Sequence, residues 1–109
     1  MAVLRKKLAQ SNPSAITLTD AYTVPASTTG VITTITVANR SATGTSFRIS
    51  HAIAGAADNN AQYLYYDAPI GGNDTFQVTT AIPMATTDVL RVYATLATLT
   101  FSIHGEEIT

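Results

Sequence analysis

The sequence predicts an all-β chain folded as an antiparallel β-sandwich, of jelly-roll or immunoglobulin-like type. Three observations predict it. Apolar and polar residues alternate with period two in about eight short runs. Turn-forming residues separate these runs at roughly the 8–12-residue spacing of a sandwich. No stretch keeps a helical period. A chain of 109 residues amounts to one domain and buries about two thirds of its unfolded surface, which suffices for one thin core.

The elements follow in order. Met1–Ser14 reads as an extended N-terminal arm, ended by Asn12-Pro13. Its apolar residues Val3, Leu4 and Leu8 make a poor helical stripe. Ordering some 13 residues costs about 1–2 kcal/mol each, and burying three aliphatic side chains returns about 1.5–3 kcal/mol each. The arm is therefore expected to be either frayed or paired along a neighbour's strand edge. It also carries Arg5, Lys6 and Lys7, half of the six basic residues. In the rest of the chain Arg40, Arg48 and Arg91 stand against seven acidic residues. A basic arm on a mildly acidic body suits docking on a sister copy or an acidic partner. The body has no basic stripe, so nucleic acid is not expected as a partner.

Residues 15–109 read as the sandwich domain. Ala15–Asp20 alternates with Ile16 and Leu18 on one face, and Ala21–Val24 continues after a bend. Pro25–Thr29 turns into Gly30–Ile53, which reads as a central β-hairpin. Val31, Ile35 and Val37 share one parity in its first strand, and Phe47, Ile49 and Ile53 in its second. Gly44 lies in the connection, where a positive φ is often needed. A small polar loop from Ala54 to Asn60 precedes a strand at Gln62–Asp67. Pro69–Asp74 is the strongest turn signal. Thr75–Thr80 points Phe76 and Val78 inward, Ala81–Thr87 is irregular around Pro83, and Glu106-Glu107 forms a solvated tail. Asp88–Ala94 buries Leu90 and Val92; Leu99–His104 buries Leu99, Phe101 and Ile103.

The residues that could carry chemistry are scattered. There is no cysteine, so disulfides and thiolate metal sites are absent. His51 and His104 sit in separate predicted strands without metal-ligand spacing. Asp58-Asn59-Asn60 is the only local candidate for calcium, and it lacks further oxygens from the same loop. No nucleophile elbow or phosphate-cradling glycine motif occurs. The sequence is expected to be non-enzymatic, without metal or cofactor. No apolar run approaches a transmembrane length, and the charged N-terminus lacks the apolar stretch of a signal peptide. A soluble protein made in the cytosol is expected, with no membrane partner.

Tyr63, Tyr65 and Tyr66 are a separate case. Alternation puts Tyr63 and Tyr65 on one face and Leu64 and Tyr66 on the other. The readings are rings packed over a sheet edge, a protein interface, or a sugar-stacking platform.

Five segments carry a family resemblance: Leu8-Ala9-Gln10-Ser11, Tyr22-Thr23-Val24-Pro25-Ala26, Val37-Ala38-Asn39-Arg40-Ser41, Tyr63-Leu64-Tyr65-Tyr66-Asp67 and Asn73-Asp74-Thr75-Phe76. Together they resemble a family of small structural proteins of tailed bacteriophages. The resemblance implies a virion component without enzymatic activity, made in the host cytoplasm. It is similar in scale and class to capsid decoration (cement) proteins on the outer shell. Its partners would be the major capsid protein and copies of itself, as a dimer or trimer. Tail, collar or fibre-attachment modules and carbohydrate-binding adsorption modules are the alternatives. Val3, Leu4, Arg5, Lys6, Lys7, Leu8, Tyr63, Tyr65 and Tyr66 are the candidate partner-binding residues.

Overall fold

A computed structural model describes every residue from Met1 to Thr109. Eight strands form: β1 (Val3–Ser11), β2 (Thr19–Thr23), β3 (Thr29–Asn39), β4 (Thr45–Ala52), β5 (Tyr63–Ile70), β6 (Thr75–Met84), β7 (Val89–Ala94) and β8 (Leu99–Ile108). Two 3-10 turns, Ile53–Gly55 and Asn60–Gln62, lie between β4 and β5. The strands make two four-stranded antiparallel sheets, ordered β1-β8-β3-β6 and β2-β7-β4-β5. The pairs β1–β8, β2–β7, β3–β6 and β4–β5 are those of one long hairpin folded over on itself. Of the two expected sandwich types, this is the jelly-roll order.

The inward faces make one core. Phe47, Ile49, Leu90 and Val92 from one sheet meet Ile35, Val37, Leu99, Phe101 and Ile103 from the other, all fully buried. Phe47 is central, with ring centroids 5.2 Å from Phe76 and 6.1 Å from Phe101. Of the residues expected to face inward, Ile35, Val37, Phe47, Ile49, Leu90, Val92, Leu99, Phe101 and Ile103 fill this core.

Several expectations are corrected. β3 and β4 are not a hairpin: β3 pairs with β6 and β8, and β4 with β5 and β7. The connection Arg40–Gly44 carries the chain from one sheet to the other. Gly44 has no positive φ; the Asn39 side chain organises the crossing instead, donating to the Thr43 and Gly71 carbonyls at 2.8 and 3.0 Å. Val31 is not on the inward face, because an extra residue at Thr33 bulges β3 against β8. The bulge reverses the parity, so Ile32 is buried and Val31 is not. Ile53 is exposed, because β4 ends at Ala52 and Ile53 opens a 3-10 turn.

Of the expected strand Ala15–Asp20, only Thr19 and Asp20 are in a strand, as the start of β2. Ala15 makes a single bridge to Ala94, Ile16 adopts a φ of 54°, and its side chain is exposed. Two predicted strands thus reduce to β2. The irregular stretch around Pro83 is the end of β6, an edge strand of its sheet, where proline's missing N–H is tolerated. In the Pro69–Asp74 turn the positive φ falls on Asn73, at 55°, not on either glycine.

The largest correction concerns the N-terminus. Met1–Ser14 is not an arm outside the sandwich. Val3–Ser11 is extended, but it is the edge strand β1, paired along its length with β8. Glu106 and Glu107, expected as a solvated tail, lie in β8 opposite Arg5 and Leu4. A division into arm 1–14 and body 15–109 therefore cuts through one sheet.

Candidate interaction surfaces

The first surface is the outer edge of β1. Burial of the predicted arm residues differs one by one. Leu8, the bulged residue between Lys7 and Ala9, turns inward against the core. Arg5 donates from Nε to Glu106 Oε2 at 2.7 Å, and Lys6 Nζ lies 2.8 Å from Glu107 Oε1. Tyr22 of β2 donates its hydroxyl to Glu107 Oε2 at 2.7 Å. The Lys6 ammonium, then the Tyr22 hydroxyl, hold the Glu107 carboxyl below the usual range. Burial and the same carboxylate push the Tyr22 phenol up. One glutamate thus ties β1 and β8 of the first sheet to β2 of the second. Lys7 has no ion-pair partner in the chain. Val3 and Leu4 are more than half exposed, on a strand whose second edge is unpaired.

The second surface is the outer face of β4, β5 and β7. Tyr65 is not part of it. Its ring packs 5.3 Å from Phe76 and 6.2 Å from Phe47, at the margin of the core. Tyr63 turns away from Tyr65 and meets Tyr66 instead, with centroids 5.0 Å apart and rings perpendicular. Simple alternation fails here because the β4–β5 register shifts between Phe47 and Ile49 and again between Ile49 and Ser50, with Asp67 at a φ of 51°. Leu64 is partly exposed at the opening between β5 and β6, beside Val78 and Ile82.

Arg48 and Tyr93 complete this face. They are opposite partners across β4 and β7. The Arg48 guanidinium lies between two rings, 4.1 Å from the centroid of Tyr66 and 4.3 Å from that of Tyr93. It also forks onto Asp67, from Nε at 2.7 Å and Nη2 at 3.4 Å. The hydrogen bond to Asp67 raises the guanidinium pKa further, so the charge is fixed. Burial and the nearby Asp58 push the Tyr63 phenol up. Sequence reasoning missed both residues. Alternation places them outward, each between buried neighbours, but the register that brings them together is not a local signal.

The histidines are unrelated to each other. His51 Nε2 sits 2.8 Å from Asp88 Oδ2, while His104 lies on the first sheet opposite Lys7. Asp88 also accepts from the Ala54 and Ala85 N–H groups at 2.9 and 3.1 Å. It pins the turn before β7 to the end of β4. Burial alone would raise its carboxyl; the Ala54 N–H, His51 and the Ala85 N–H outweigh that and hold it low. No group of three or more metal-binding side chains is gathered anywhere. Asn59 of the proposed calcium loop accepts from Ala61 N–H and caps a 3-10 turn. No helix is long and apolar enough to cross a membrane.

Asp88 and Glu107 make a pH prediction. Both carboxyls are lower in the fold than unfolded, where carboxyl values lie near about 4. Their stabilisation is complete above that range and is lost as pH falls through the lower folded values. Urea midpoints are expected to drop between about pH 5 and pH 2. Asp88→Asn should be less stable at neutral pH and lose less on acidification. Parallel pH curves for the two proteins would show that Asp88 carries none of the dependence.

Comparison with protein-family models, with curated proteins and with solved structures gave no match.

Proposed function

We propose that this chain is a non-enzymatic structural protein of a tailed-phage virion, a capsid decoration protein that binds the outer shell through the free edge of β1. The observation that carries the reading is that edge: a nine-residue strand with one side unpaired and Val3 and Leu4 held open to solvent. Such an edge can accept a strand from a neighbour, with backbone hydrogen bonds for affinity and alternate side chains for fit. Lys7 adds a charge not neutralised within the chain. The family resemblance supplies the particle, and with it the major capsid protein and sister copies as partners.

The edge no longer needs to be ordered by binding, since β8 has already ordered it. That removes most of the entropic cost that a free arm would bring. Burying the two aliphatic side chains contributes about 1.5–3 kcal/mol each. The double variant Val3→Asp, Leu4→Asp should therefore bind at least about tenfold more weakly. The check is co-sedimentation with undecorated expanded capsids, with circular dichroism as the folding control. Wild-type protein that stays in the supernatant would sink the shell reading. A folded double variant that sediments like wild type would remove β1 as the contact. A stained-gel copy number per particle separates a shell protein from a tail or collar module.

A further inference from the structure

We propose that the corner formed by Tyr63 and Tyr66 binds a neutral pyranose sugar. The corner lies on β5, which ends its sheet on the side away from β1 and β2, so it stays open when the β1 edge is occupied.

The two rings stand perpendicular at 5.0 Å. With Asn60 they line an open hollow of about 370 Å³, a volume that suits one small ring rather than a protein side chain cluster. Tyr66 is 58% exposed, yet it is not free to move. Arg48 covers one of its faces at 4.1 Å, and Asp67 fixes Arg48. Aromatic rings held in this way lose little entropy on binding. A pyranose has an apolar face of C–H bonds, which stacks on a ring, and an equatorial rim of hydroxyls. Two phenol hydroxyls and the Asn60 amide, with two donors and an acceptor, are suited to that rim.

The loop that carries Asn60 is built to hold it there. Asn59 caps the 3-10 turn, and the buried Gln62 donates back to the Ala57 carbonyl at 2.9 Å. The turn brings Asn60 to the two tyrosines. Charge then selects the sugar. Both Arg48 and Asp58 lie near the Tyr63 phenol, and the Arg48 charge is already paired with Asp67. An acidic sugar would have to compete with Asp67 for the one cation at the corner, so a neutral one is favoured.

The test is saturation-transfer NMR on the purified protein with methyl β-D-galactopyranoside and methyl β-D-glucopyranoside, and with glucuronate as the anionic control. Transfer to the C–H face of at least one neutral glycoside is expected, with a Kd on the order of 1 mM. Tyr66→Ala should abolish it, and Tyr66→Phe, which keeps the ring and loses one hydroxyl, should weaken it. Asn60→Ala, at an exposed position, should weaken it without affecting the fold. The Val3→Asp, Leu4→Asp variant should bind sugar like wild type, which keeps this site distinct from the shell contact. The proposal is overturned by no transfer to either neutral glycoside, by transfer that survives Tyr66→Ala, or by glucuronate binding as well as the neutral sugars.

Discussion

Truncating Phe47 to alanine is expected to destabilise the sandwich by about 3–5 kcal/mol, the range for a buried aromatic. Phe47 is fully buried and stands on β4, yet its nearest ring neighbours, Phe76 and Phe101, belong to the other sheet. It is therefore a tie between layers as well as a volume. Alanine would leave a cavity bounded by two sheets, each fixed by its own hydrogen bonds, so little collapse can refill it. A domain of this size holds roughly 5–15 kcal/mol in total, and the variant should lose about a fifth or more of that. Urea melts measure it as a lower midpoint at unchanged slope. A change below about 1 kcal/mol would mean that the site relaxes far more than its surroundings suggest. Phe101→Ala should behave alike for the same reason.

Gly105→Ala is expected to cost as much as the upper end of overpacking, about 3 kcal/mol, although it adds a single methyl. A Cβ at Gly105 would lie 2.0 Å from the Val31 carbonyl oxygen and 2.9 Å from Leu8 Cδ1. Leu8 is the bulged residue of β1, and Val31 belongs to the β3 stretch paired with β8 just before the bulge at Thr33. β8 runs between these two strands and is hydrogen-bonded to both, so it has no direction in which to yield. The φ of Gly105 is not positive, which makes the effect purely steric. Gly44→Ala is the matched control. Its added methyl would meet nothing closer than 3.5 Å, and its melt should stay within about 0.5 kcal/mol of wild type. Equal melts for the two alanine variants would remove the steric argument.

The parts of the fold legible in the sequence were those with a local cause. Phe47, Ile49, Leu90, Val92, Phe101 and Ile103 alternate with polar residues, and a pleated strand then has one choice of face. What failed was whatever depends on a partner strand. Ser41–Gly44 has the composition of a hairpin turn, but a short loop between sheets needs the same residues. The Thr33 bulge exchanges Val31 for Ile32, and both are β-branched and apolar, so neither order is preferred locally. β1 looked too poor in apolar residues to order itself; its stability comes from the backbone of β8 and from Glu106 and Glu107, about a hundred residues away. At the tyrosine face the residue types were visible and the geometry was not. Tyr66 could be singled out, but its fixing by Arg48 arises from β4–β5–β7 pairing, as does the turning of Tyr65 into the core.

The folded-over hairpin has a consequence for synthesis on the ribosome. β8 is the last strand to emerge, and it lies between β1 and β3, the earliest strands of its sheet. Until it arrives, β1 has no backbone partner and β3 is open along one side. The β4–β5 end, by contrast, needs only neighbours already made. The sandwich therefore closes from its middle outward, and β1, made before the other seven strands, is among the last to be placed. During that interval Val3, Leu4 and the unpaired side of β3 are exposed together, the combination most prone to pairing with another nascent chain. The three consecutive cations Arg5, Lys6 and Lys7 sit in that waiting strand, where mutual repulsion between copies keeps it single.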